Sequence, residues 1–181
     1  LALLSDSVSS VAAAEDSGEL EVVFKERLAQ ALIAQGQLDQ AWLQLAPLLP
    51  EYPVLAPLAA DLLLKLNRPA DALPLAAAHA EATPTADALE LLARCHFRSG
   101  DQAAYAGLLC QATRLSPRDG RVACLAAQAT FDQADSNETV QMGWELLRAG
   151  LESAGPVPEL EFFKARQLLL DGRFAEGWTA Y

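Results

Sequence analysis

The feature that most constrains this chain is a segment that recurs about every 34 residues, the signature of a repeat architecture. Residues 35–53 read QGQLDQAWLQLAPLLPEYP. Gly36 interrupts a helical pattern, Ala41 and Leu45 begin a second apolar stripe, and Pro53 closes the unit. Residues 66–84, LNRPADALPLAAAHAEATP, repeat that order with Asn67 in place of the glycine, then Ala72 and Ala76, then Pro84. Residues 99–117, SGDQAAYAGLLCQATRLSP, repeat it with Gly100, Leu109, Ala112 and Pro117. The closing prolines are 31 and 33 residues apart, and Gly172 starts the same series again in DGRFAEGWTAY.

Each unit predicts two helices joined by a tight turn. The first helices carry Leu28-Ala29-Leu32, Ala59-Ala60-Leu63 and Leu92-Ala93-His96 at i, i+1 and i+4. That spacing puts an apolar ridge with a small residue on one face, so a second helix can cross closely. The closing prolines cannot continue a helix and suit the first turn of the next one. Composition agrees: 36 of 181 residues are Ala and aromatics are only 7%. Ala favours helix and lets helices approach, and β-branched runs that would build strands are missing. The expected fold is all-α, an α-α superhelix (a helical-repeat solenoid) of about four and a half helix pairs. Its units run roughly over 22–52, 53–84, 85–117, 118–156 and 157–181, the last incomplete.

These residues resemble the tetratricopeptide repeat (TPR) over 22–181: a large-small pair in the first helix, a glycine turn, a small residue opening the second helix, and a late proline. Leu28, Ala29, Leu32, Gly36, Ala41, Leu45 and Pro53 match best. The second unit is about three residues short of the family's 34. The third has Tyr105 where a small residue is expected, and the fourth needs about five extra residues around Ala134 to Glu138. The resemblance implies a surface lined by first helices that binds a peptide or protein partner. Projected onto this chain, the inward positions are Arg27 and Gln30; Asp61, Leu64 and Lys65; Glu90, Arg94, Phe97 and Arg98; and Phe163 and Arg166. Arg94 and Arg98, at i and i+4 beside Phe97, suit an acidic partner; the competing reading is a solvated face on which Glu90 pairs with Arg94. The Asn residues of the family's chaperone carboxylate clamp are replaced here by Arg27, Gln30, Leu58 and Asp61, so that clamp is not expected.

Trp42, Trp144 and Trp178 follow Ala41, Gly143 and Gly177, with Trp144 and Trp178 34 residues apart. Each is expected to pack over the next unit's first helix. Residues 1–14 place Leu1, Leu4, Val8 and Val11 on one face, as a capping helix does, with a frayed tail as the alternative; Glu15 to Gly18 reads as a polar linker within an N-terminal segment of residues 1–21. The chain stops inside a second helix and starts without Met, as expected of a piece of a longer solenoid. LLLDGRFAEGWTAY at 168–181 is similar to the last repeat of bacterial TPR proteins in which a glycosyltransferase-like domain follows.

Chemistry is sparse. The net charge of −11 disfavours nucleic acid and anionic membrane surfaces. No apolar run reaches the ~20 residues that span a bilayer, and cytoplasm is the expected compartment. Cys95, Cys110 and Cys124 lack metal or disulfide spacing and read as buried thiols. His79 and His96 have no Cys, Asp or Glu at i+4, and adjacent Cys95 and His96 diverge by about 100° on a helix. Ser99-Gly100-Asp101 reads as a turn with a helix cap. No catalytic, cofactor-binding or metal site is expected. Two functional readings follow: a non-catalytic interaction scaffold, or the repeat domain of a larger enzyme. Self-association through the open last helix is a third.

Overall fold

At four places the chain reverses through the same backbone device. Gly36, Gly100 and Gly172 have φ of 75°, 87° and 76°, and Asn67 has 59°. That left-handed region is open to glycine and tolerated by Asn. The turn residue's N–H donates to the carbonyl three residues back, and the next N–H to the carbonyl five residues back. The pairs are Gly36 to Ile33 and Gln37 to Leu32 (3.0 and 2.8 Å), and Asn67 to Leu64 and Arg68 to Leu63 (3.1 and 2.8 Å). They recur as Gly100 to Phe97 and Asp101 to His96 (3.1 and 2.9 Å), and Gly172 to Leu169 and Arg173 to Leu168 (3.2 and 2.9 Å). This Schellman pattern satisfies the last carbonyls of one helix while aiming the chain into the next. Asn67 thus does the glycine's work.

The computed structural model describes residues 22–154 and 157–181, so the expected cap over residues 1–14 lies outside the described residues. The helices are α1 over 22–34, α2 (Leu38–Leu45), α3 (Ala56–Lys65), α4 (Pro69–Ala82) and α5 (Ala86–Ser99). They continue as α6 (Gln102–Leu115), α7 (Gly120–Asp132), α8 (Asn137–Ala154), α9 (Pro158–Leu170) and α10 (Phe174–Ala180). Among the described residues there is no strand, and the fold is the expected all-α helical repeat. Helix starts follow the sequence. Thr85, Asp101 and Asp119 each accept a backbone N–H of the following turn, from Ala88, Ala104 and Val122 at 3.2, 3.0 and 3.2 Å. Pro158 occupies the first turn of α9.

The chain divides into two compact units, Leu1–Leu75 and Ala76–Tyr181. In the first, Ala29, Ala41, Leu45, Leu55 and Leu62 are buried together with Trp42 against them. In the second, α6 meets α7 through Leu109, Ala126 and Ala129, and α8 meets α9 through Leu147, Leu160 and Phe163. The small residues expected to open the second helices are buried at Ala41, Ala72 and Gly177. Tyr105 takes that place in α6 by packing its ring on Phe97 of α5, centroids 4.9 Å apart. The fourth turn, with its extra residues, has no left-handed residue: Gln133 has φ −105°. The hydroxyl of Ser136 instead accepts the N–H of Thr139 at 3.3 Å and starts α8.

Candidate functional site

In the second unit the first helices α5, α7 and α9 stand side by side through two contacts of the same register. Arg121, the second residue of α7, donates two hydrogen bonds to Glu90, the fifth residue of α5 (Nη1 to Oε1 2.6 Å, Nη2 to Oε2 2.5 Å). Cys124, the fifth residue of α7, points its Sγ at the carbonyl oxygen of Glu159, the second residue of α9, 3.9 Å away. A fifth residue facing a second residue, twice over, makes one continuous first-helix surface. The paired hydrogen bonds to Glu90 hold the Arg121 guanidinium more firmly charged than usual. Burial, then the charge of Glu159, raises the Cys124 thiol pKa and keeps it protonated. Burial raises the Tyr105 hydroxyl as well, with Asp132 and Glu90 adding to it.

Arg94 and Arg98 are exposed on α5, on the side that carries Glu90. Glu90 gives both carboxylate oxygens to Arg121 on the next first helix, a partner beyond the one expected along its own helix. Phe97 is half exposed and its ring lies on Tyr105 of its own helix pair. On α9 the guanidinium of Arg166 sits 5.9 Å from the Phe163 ring centre. Phe163 itself is only 6% exposed and belongs to the core, so it does not face a partner; its neighbour Phe162 is the exposed ring, at 56%. In the first unit, Arg27 donates to Gln30 (3.3 Å) and Gln30 to Glu26 (3.0 Å) along α1. Asp61 and Lys65 form an ion pair of 2.9 Å along α3. Leu64 is buried, contrary to its expected inward place.

Sequence reasoning misses Arg121 and Phe162. The fourth unit lacks a turn glycine from which to count, and the Phe beside Phe162 competes for the same role. The signal for Phe162 is present: it lies ten residues before Gly172, as Glu90 lies ten before Gly100.

Of the three cysteines, Cys95 is buried, while Cys110 and Cys124 are only half-buried. His96 does have a carboxylate, five residues on rather than four: its Nδ1 is 3.2 Å from Oδ2 of Asp101 across the Gly100 turn. Among the described residues no group of three or more His, Cys, Asp or Glu side chains could hold a metal ion, and no helix is long and apolar enough to cross a membrane.

The three tryptophans differ. Trp144 donates its Nε1–H to Asp171, the residue that caps the C-terminus of α9, at 3.1 Å, and lies under Arg173, 5.8 Å from the ring centre. Trp42 lies under Arg68 at 5.5 Å. In both cases the arginine directly follows the left-handed residue of the next helix pair's turn. The expected contact is therefore made at the C-terminal end of that pair's first helix. Trp178 has Tyr181 as its ring neighbour, 5.9 Å away, and is 66% exposed.

No protein-family model and no curated protein matches the sequence. Solved structures do match by shape. A MamA RS-1 ArsTM double mutant has a TM-score of 0.63 at 19% identity, covering 71% of this chain and 72% of that one. MamA 41-end from Desulfovibrio magneticus RS-1 gives 0.62 at 18%, covering 74% and 76%. A thermophilic TPR protein of Thermus thermophilus gives 0.59 at 20%, covering 87% and 86%. The fold is that of a TPR-like helical repeat.

Proposed function

We propose that the chain is a non-catalytic interaction scaffold whose first-helix surface on α5, α7 and α9 binds an acidic segment of a partner protein. One observation carries this. In a chain of net charge −11, the first-helix surface on which Glu90 binds Arg121 also presents the exposed Arg94, Arg98 and Arg166, and α9 adds the exposed Phe162 ring, which lies on Tyr181 at the end of α10 with centroids 5.9 Å apart. Arginine forks suit carboxylates, and an exposed aromatic supplies apolar contact area that carboxylates alone lack. Arg27, Gln30, Asp61 and Lys65, which pair locally along their own helices, are the first unit's separate candidates for partner contact. The likeness to a TPR protein and to MamA structures supports the scaffold reading at the level of fold.

The test is binding of a fluorescein-labelled decapeptide of alternating Glu and Leu, followed by anisotropy. Binding should weaken with salt, as surface charge pairs do. Arg94→Glu with Arg98→Glu should weaken it at least about 10-fold, the effect of ~1.4 kcal/mol, with helicity by circular dichroism unchanged. Equal binding by the double variant, or none by the unmodified chain, sinks the proposal.

A further inference from the structure

Counting from the left-handed residue of each turn aligns the repeats. Twelve residues before it stand Phe24, Leu55, Ala88 and Leu160; nine after it stand Leu45, Ala76, Leu109 and Tyr181. These two positions are the two halves of the joint between successive helix pairs. Leu45 shares a core with Leu55, and Leu147, three residues after Trp144 as Leu45 is after Trp42, shares one with Leu160. Leu55, Ala88 and Leu160 are buried, as are Leu45, Ala76 and Leu109. Two residues break the rule: Phe24 is 68% exposed and Tyr181 73% exposed. Trp178 is exposed beside Tyr181, and Val23 beside Phe24. The chain thus presents one half of its own joint on α1 and the other half on α10.

We infer that a second copy of this chain joins them: the α1 face of one copy, carrying Phe24, stacks on the α10 face of another, carrying Trp178 and Tyr181. The contact continues the interface that Leu45 and Leu55, and Leu147 and Leu160, make within the chain. It is head to tail, so each copy contributes two different patches and a dimer keeps one of each unfilled. The joint is weaker than the internal ones. Nine residues before the turn, where Leu58, Leu91 and Phe163 stand in other first helices, α1 has the exposed Arg27. Two chains of charge −11 also repel, so the association strengthens as salt screens them.

Sedimentation of the 181-residue chain over a concentration series tests this. The mass should rise above 19.3 kDa with concentration, and do so at lower concentration when salt is raised. Phe24→Asp and Trp178→Asp should each remain monomeric with unchanged circular dichroism. Mixed one to one, they should recover a species of twice the monomer mass and no larger, because each variant keeps the patch that the other lost. Tyr181→Asp in place of Trp178→Asp should behave the same way and guards against a folding defect in either. A chain that stays monomeric throughout, as it would with residues 1–21 covering Phe24 or with a different protein as the occupant of α10, overturns the inference. So do variants that still associate, and a mixture that recovers nothing.

Discussion

Gly143-Trp144 and Gly177-Trp178 are the same dipeptide 34 residues apart, and within their own helix pairs they behave alike. A Cβ on Gly143 would lie 2.9 Å from the Phe131 ring of α7, and one on Gly177 would lie 2.7 Å from the Leu169 side chain of α9. Each glycine therefore lets a second helix press against its first. The tryptophans that follow live differently. Trp144 has Phe131 edge-on at 5.5 Å, Asp171 on its indole N–H and Arg173 over its face. Trp178 is exposed with Tyr181 beside it. The dipeptide settles how a helix pair closes on itself. What covers the indole is supplied by the next pair, so one motif yields one local geometry and two environments.

The largest test of that contrast is truncation at the two joints. Leu147→Ala removes a side chain that is 1% exposed between α8 and α9, and should cost about 2–5 kcal/mol in urea unfolding, the range for buried Leu→Ala changes. Tyr181→Ala, at the matching place after Trp178, should stay within about 0.5 kcal/mol, as exposed substitutions do. These measurements belong at dilute concentration, where copies are apart. Similar losses at both sites would abolish the distinction between a filled joint and an open one.

The glycines come next and probe what the two sites share. Gly177→Ala brings the new methyl against Cγ and Cδ2 of Leu169 at 2.7 Å and against its backbone nitrogen at 3.1 Å. Overpacking of this kind costs about 1–3 kcal/mol, while Ala gains up to about 1 kcal/mol over Gly in helix propensity. The expected net is a loss of up to ~2 kcal/mol. Gly143→Ala should lose a similar amount, because its methyl would lie 2.9 Å from a Phe131 ring that is itself held against Trp144 and Phe163. A net gain at Gly177 would show that α9 and α10 are not held at this distance.

Much of this is readable from residues alone, and the parts that are not share a cause. The turn residues, including Asn67 standing for glycine, are set by local backbone sterics, and so are legible. The helix caps at Thr85, Asp101 and Asp119 and the apolar faces are equally local. Contacts between repeats depend on register across about 30 residues. Helical spacing points Glu90 toward Arg94, its neighbour on the same helix, and gives no sign that its carboxylate also binds Arg121 on the next first helix. Phe163 and Phe162 are adjacent, and a slip of one position about the helix axis exchanges the buried ring for the exposed one. Helical spacing also leaves His96 without an acidic partner, whereas Asp101 reaches it across the turn. The second unit's first-helix surface is therefore legible by helix and only partly by residue.

The smallest effect separates two roles of one side chain. Arg173 lies over the Trp144 ring and also donates to both carboxylate oxygens of Glu176, at 2.9 and 2.6 Å. The ring contact should show as a small favourable coupling between Arg173→Ala and Trp144→Phe in a double-mutant cycle, and as none between Arg173→Ala and Trp178→Phe. The ion pair is exposed and contributes little, but it titrates. The hydrogen bond from Arg173 holds the Glu176 carboxyl below its usual range. A depressed folded pKa means the pair's contribution is present above the unfolded value and is lost as pH falls through the folded one. Arg173 stays charged throughout, so its coupling to Trp144 should persist into acid while its coupling to Glu176 disappears. A Trp144 coupling that fades with the carboxylate would mean that Glu176 holds the arginine over the indole, and that the covered joint depends on an exposed ion pair.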